Sequence, residues 1–116
     1  MNALLILNDP PYGTERTYNG LRLAGALAKR GSDEVRVFLM GDAAAAAKAG
    51  QQVPQGYYHL GRMIQVVIQH RGCVAVCGSC MDARGLGDAD LVEGARRSNL
   101  EELADWTEWA DKVVVF

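Results

Sequence analysis

The chain has 116 residues, 49% of them hydrophobic and 22% charged, with a formal net charge of −2. That length suits one domain, residues 1–116, able to bury a core without disulfide staples. The small negative charge excludes a general electrostatic attraction to nucleic acid or to an anionic membrane.

The first strand is expected at Leu4-Leu5-Ile6-Leu7, a continuous apolar run of the kind that parallel sheets bury on both faces. The run lacks a basic start and is too short for a signal peptide or a membrane span, so a cytoplasmic protein is expected. After Asn8-Asp9-Pro10-Pro11, Thr14 is placed to cap a helix running to about Lys29, with Glu15 in its first turn and Gly31 at its end. Val35 to Met40 reads as the second strand. Asp42 then caps an Ala-rich helix over residues 43 to about 49, and residues 51–56 form a loop. Leu60, Ile64, Val67 and Ile68 fall at helical spacing in a helix beginning near Tyr58. Cys73 to Val76 is the third strand, followed by an exposed loop over residues 82–90 and a short helix within residues 89–95. Arg96-Arg97 forms a short fourth strand and a solvated charge pair. Ser98-Asn99-Leu100-Glu101 matches a capping box opening a helix through Leu103, Trp106 and Ala110, and Lys112 to Phe116 is the last strand. The alternation predicts an α/β fold with a parallel sheet and helices on both faces. His59 and His70 are expected at the surface, and Trp106, Trp109 and the pair Tyr57-Tyr58 are candidates for a core or a subunit interface.

Chemistry concentrates in Cys77-Gly78-Ser79-Cys80, directly behind Val74-Ala75-Val76. A strand ending on a cysteine puts a thiol at the sheet rim, where backbone N–H groups and a helix start stabilise a thiolate. Three cysteines in one segment are not a secreted disulfide framework; in a reducing compartment they point to catalytic, redox or metal chemistry. The pair Cys77 and Cys80 admits a nucleophilic or sulfur-carrying thiol, a dithiol redox couple, or a metal site. Set beside these is the plain reading of Cys77 as a small buried hydrophobe. Metal binding is poorly supported, because only Cys73, His59 and His70 remain to complete a ligand set. Asp82 and Arg84 lie close in sequence, and Arg84 is placed to supply positive charge to the thiol. Cys73 belongs at the far end of the strand and is read as structural. The first strand ends at the same sheet edge as Cys77, so Tyr12, Gly13 and Thr14 are candidates for the other wall of a substrate pocket. Neither G-x-G-x-x-G nor G-x-x-x-x-G-K occurs, so no nucleotide cofactor is expected.

Taken together these residues resemble the DsrE/DsrF-like family, most closely its YchN-like branch. The resemblance rests on Pro11-Tyr12-Gly13-Thr14, Leu21-Arg22-Leu23-Ala24, Phe38-Leu39-Met40-Gly41-Asp42-Ala43, Gly50-Gln51 and Gly56-Tyr57. Its most specific block is Val76-Cys77-Gly78-Ser79-Cys80-Met81-Asp82-Ala83-Arg84-Gly85, and it closes with Leu103-Ala104-Asp105-Trp106-Thr107 and Ala110-Asp111-Lys112-Val113. It implies a three-layer α/β/α sandwich on a mainly parallel, about five-stranded sheet. It also implies hexamers, homohexamers in the YchN-like branch and mixed complexes in the DsrEFH and TusBCD relatives. Relatives of this kind carry sulfur as a cysteine persulfide, on a cysteine that precedes an Arg-Gly pair at the spacing Cys77 has from Arg84-Gly85. Sulfur donor and acceptor proteins are the partners so implied, with no direct role for nucleic acid or membrane. Cys80, which the sulfur-relay relatives commonly lack, resembles the YchN-like pattern and is a candidate to resolve the persulfide through a disulfide. A non-catalytic oligomeric binding module and a Cys77/Cys80 dithiol redox protein are the competing readings.

Overall fold

The structure is a computed structural model that describes residues 1–54 and 58–116. Gln55, Gly56 and Tyr57, and with them the end of the expected loop and one of the candidate interface tyrosines, lie outside the described residues. Five strands form one all-parallel sheet: β1 (Asn2–Leu7), β2 (Glu34–Leu39), β3 (Cys73–Cys77), β4 (Ala95–Ser98) and β5 (Lys112–Val115), in the order β4-β3-β2-β1-β5. Four helices connect them: α1 (Arg16–Arg30), α2 (Leu60–Gln69), α3 (Gly78–Ala83) and α4 (Leu100–Trp109). No described helix is long and apolar enough to cross a membrane.

Side-chain alternation along the strands builds two cores. Leu5, Leu7, Val37, Leu39, Val74 and Val76 pack under α1 and α2, with Leu21, Ala24, Leu60, Ile64 and Val67. On the opposite face, Leu4, Phe38, Ala75 and Cys77 pack against Leu103 and Trp106 of α4. Trp106 meets Phe38 edge-on at 6.2 Å between ring centroids. One ten-residue helix cannot cover a five-stranded face. Val113 and Val115 of β5, in register with Leu4 and Ile6, are 42% and 62% exposed.

Several local expectations are corrected. The Ala-rich segment is a 3-10 helix over Gly41–Ala47 rather than an α-helix from Asp42. Ala43, Ala44, Ala46 and Ala47 are all fully buried, so small size rather than helix propensity explains the run. Residues 89–95 do not form the expected helix. After a 3-10 turn at Asp88–Asp90, the Ala49 N–H donates to the Asp90 carbonyl, and the Val92 N–H to the Ala47 carbonyl, at 2.7 and 2.8 Å. The N–H that a continuing helix would need is thus committed to a Lys48–Leu91 bridge. The exposed loop begins later than expected, since Asp82 and Ala83 belong to α3.

Capping residues also shift. Glu15 rather than Thr14 immediately precedes α1, but it makes no side-chain cap; the Thr14 hydroxyl accepts the Arg16 N–H at 3.3 Å while donating to Asp9 at 3.0 Å. Asn99 caps α4 by accepting the Glu102 N–H at 2.9 Å, while Ser98 stays in β4 and donates to the Glu102 carboxylate. His59 is half-buried rather than at the surface, because its Nδ1 caps α2 by accepting the Arg62 N–H. Trp106 is a core residue; Trp109 lies under the Arg36 guanidinium at 3.7 Å.

Candidate thiol site

β3 delivers Cys77 to the carboxyl edge of the sheet. Val74, Ala75 and Val76 are buried on both faces, so the strand cannot slip without exposing them. Cys77 is the last strand residue and the residue preceding α3. Gly78 must be small: a Cβ there would lie 3.0 Å from the Ser98 carbonyl oxygen and 2.9 Å from Arg97 Nε. The chain therefore turns into α3 hard against β4.

Two sulfurs share this turn and differ in their surroundings. Cys77 Sγ lies 3.3 Å from Ser79 Oγ. Burial alone would push its thiol up. Hydrogen bonds from the Ser79 hydroxyl, the Cys80 thiol and the N–H groups of Cys80 and Ser79 outweigh that, and hold it below the ordinary thiol value. Cys80 is pushed up by burial, by the hydrogen bond it gives to Cys77 and by the charge on Cys77, against the opposing pull of the Gly41 N–H and Arg84. The Gly41 N–H donates to Cys80 Sγ at 3.1 Å. Gly41 adopts φ +56°, and a Cβ there would press on the Asn8 carbonyl oxygen at 3.3 Å, so glycine suits this donor position on both counts. The Gly41 N–H acts on the Cys80 sulfur, and the two thiols act on each other with opposite effect, Cys77 being lowered and Cys80 raised. This favours one thiolate at Cys77 and one proton-bearing thiol at Cys80.

Ion pairs hold α3 from both flanks. Arg84 donates to Asp42 Oδ1 from Nε and Nη2 at 3.0 and 2.7 Å, and to the Cys80 carbonyl from Nη1 at 3.0 Å. Its charge thus acts on Cys80 rather than serving Cys77 directly, as its place in the sequence had suggested. Asp82 accepts from Arg97 Nη2 at 2.7 Å, and that guanidinium holds its carboxyl below the usual carboxylate range. Arg96 and Arg97 are both exposed, as expected, but each is engaged by a carboxylate. Strand alternation sends them to opposite faces, where Arg96 grips Glu102 through two hydrogen bonds of 2.6 and 2.8 Å. Arg97 is the site residue that sequence reasoning missed. Its signal was the fourth strand itself, whose alternation separates the two arginines.

The model of the DsrE/DsrF-like family matches residues 1–116. The chain belongs to the DsrE/DsrF-like family. It is 39% identical over 114 residues to the protein YchN of Escherichia coli, covering 97% of each chain. Its fold superposes on the crystal structure of E. coli YchN with a TM-score of 0.93 at 37% identity, over 99% of this chain and 98% of that one. MJ0989 of Methanocaldococcus jannaschii is 34% identical over 116 residues, the whole of both chains.

In this DsrE/DsrF-like protein, the candidate residues Tyr12, Gly13 and Thr14 follow β1, a strand separated from β3 by β2. Tyr12 is 38% exposed and donates to the Tyr58 carbonyl at 3.1 Å. Gly13 is exposed at φ +98°, and Thr14 is bound to Asp9. Tyr58 in turn donates to Glu15 at 2.8 Å and stacks on Tyr18 at 3.7 Å, which ties the β1–α1 loop to the segment before α2. Among the hydrogen bonds of the described residues, none joins Tyr12, Gly13 or Thr14 to either thiol. Cys73 is exposed at the amino end of β3. A cavity of about 610 Å³ opens beside it, and another of about 350 Å³ lies between α1 and α2; neither touches Cys77. No cluster of three or more metal-ligating side chains forms among the described residues.

Proposed function

We propose that this protein is a sulfur carrier that holds sulfane sulfur as a persulfide on Cys77. The observation that carries the reading is the sulfur pair at the end of β3: Cys77 Sγ lies 3.3 Å from the Ser79 hydroxyl and Cys80 Sγ accepts the Gly41 N–H at 3.1 Å, with the Cys77 thiol held low and the Cys80 thiol held high. The Cys77 thiolate attacks the outer sulfur of a donor persulfide, R–S–SH. A sulfur–sulfur bond forms at Cys77, the donor's own bond breaks, and R–S⁻ departs with the bonding electrons, so charge and oxidation state balance. An acceptor thiolate then attacks the outer sulfur and returns the Cys77 thiolate. The hydrogen bonding that favours the thiolate would also favour the persulfide anion, with Cys80 lending and recovering a proton. Family membership supports this chemistry, and donor and acceptor proteins would supply and remove the sulfur. The test is cyanolysis after exposure to a sulfane sulfur donor. Wild type should release thiocyanate near one equivalent per chain, and Cys77→Ser close to none; equal release from both would refute the assignment.

The carrier is further proposed to work as an oligomer of identical chains, a hexamer by analogy with its branch of the family. Support comes from the part of the sheet that α4 leaves bare, where Val113 and Val115 join the half-buried Ile6 and Met40. β5 is also an edge strand, and an apolar uncovered edge invites a partner. Sedimentation at micromolar concentration should give a hexamer, and Val115→Lys should shift it toward smaller species. A wild-type protein that sediments as a monomer would remove the claim.

A further inference from the structure

α3 is six residues long, too short to persist through its own backbone hydrogen bonds. Its shape must be imposed by what surrounds it, yet the donors that face Cys77 belong to it. Met81 anchors its buried side, and Arg84 ties its end to Asp42. The start of the helix is held by Arg97. The guanidinium lies across Gly78, whose Cβ would come within 2.9 Å of Nε and 3.1 Å of Cζ. From there Nη2 reaches Asp82 at 2.7 Å, and Nη1 lies 3.7 Å from Asp88. One side chain thus spans Gly78 to Asp82, and the residues between include Ser79 and Cys80.

We propose that Arg97 is a positioning residue for Cys77: by bracing the first turn of α3 between Gly78 and Asp82, it keeps the Ser79 hydroxyl beside the Cys77 sulfur and Cys80 on the turn behind it. As a surface ion pair the Arg97–Asp82 contact contributes little stability, both side chains being open to solvent. Its consequence is geometric, alongside the direct attraction between the Arg97 charge and the Cys77 thiolate; Asp82→Asn breaks the brace while leaving that charge in place. The charged and titratable groups around Cys77 are few: Cys80, Asp82 and Arg84 on α3, Arg97 on β4, and Asp42 and Asp88 as the carboxylates that engage the two arginines. From α4 come the apolar Leu103 and Trp106, and the Glu102 carboxylate is taken up by Arg96 and Ser98. Of the three arginines named, Arg96 is bound to Glu102 and Arg84 to Asp42 and the Cys80 carbonyl, while Arg97 lies across Gly78 at the start of α3.

The inference rests on Cys77 being the reactive thiol, but its test reads the thiolate directly and needs no sulfur transfer. The experiment is the pH profile of iodoacetamide alkylation, quantified on the Cys77 peptide, in wild type, Arg97→Met, Arg97→Lys, Asp82→Asn and the Arg97→Met/Asp82→Asn double variant. Arg97→Met and Asp82→Asn should each raise the midpoint by about one pH unit. Arg97→Lys should raise it less, and the double variant no more than either single one, since both break the same brace. Unmoved midpoints in variants with native circular dichroism and unfolding would overturn the proposal, as would fully additive shifts. Should Arg97→Met fail to fold, Arg97→Lys and Asp82→Asn carry the same test. Shifted midpoints in a protein that never loads sulfur would leave Arg97 in its role and defeat the carrier reading instead.

Discussion

Cys80→Ala should slow the alkylation of Cys77 at neutral pH by about tenfold or more, whereas Cys80→Ser should retain most of the wild-type rate. Hydrogen bonding by the Cys80 thiol is among the causes that lower the Cys77 thiol. A hydrogen bond to a charged group is worth about 1.5–3 kcal/mol, and a shift of one pKa unit corresponds to about 1.4 kcal/mol. Losing that donor therefore raises the Cys77 midpoint by about one unit or more. Below its midpoint a thiol loses about tenfold in thiolate for each unit of pH, so the rate at neutral pH falls accordingly. Serine keeps an O–H in place of the S–H and preserves the interaction in kind. This pair of variants separates two roles for Cys80. A thiol that acts only by forming a disulfide with Cys77 is lost equally in both variants and leaves the alkylation midpoint where it was. A hydrogen-bond donor fails in alanine and survives in serine.

Phe38→Ala should destabilise the fold by about 3–5 kcal/mol, the usual cost of emptying a buried aromatic site. Phe38 is fully buried near the carboxyl end of β2, the central strand of the sheet, in register between Ile6 of β1 and Ala75 of β3, and forms the floor on which Trp106 rests edge-on. The face it serves has a single helix over it, so little material can collapse into the void. A domain of this size has about 5–15 kcal/mol in total, which makes the loss a large share of its stability. Urea unfolding should show a lower midpoint with an unchanged slope. Cys73→Ser, at an exposed strand end, should stay within about 0.5 kcal/mol of wild type. The same cluster contains Cys77, so a surviving Phe38→Ala protein should also show a less sharply defined Cys77 midpoint.

The apolar runs at Leu4–Leu7 and Val74–Val76 announced buried parallel strands, because nothing but burial on both faces accommodates unbroken apolar side chains. Cys77 was legible for the same reason: the run ends there, and a chain leaving a sheet must turn. The Ala-rich segment misled because alanine signals both helix propensity and tight space. Here space decided: Ala43, Ala44, Ala46 and Ala47 are fully buried, and the Ala43 N–H reaches the carbonyl of Asn8, a residue far from the run in sequence. Residues 89–95 misled because their partner, Ala47–Ala49, lies some forty residues earlier. Asp82 and Arg84 could be placed near the thiols from sequence, but not paired, since each finds its counterion on another element. Arg97 was hidden in the same way. Its contact with α3 exists only once β4 lies beside β3.

The most direct test of the account is intact-mass spectrometry of wild type, Cys77→Ser and Cys80→Ser after incubation with a sulfane sulfur donor. The predicted result is a reducible gain of about 32 Da, one sulfur, in wild type and in Cys80→Ser, and none in Cys77→Ser. A gain that persists in Cys77→Ser, or no gain in a folded wild-type protein, would contradict it.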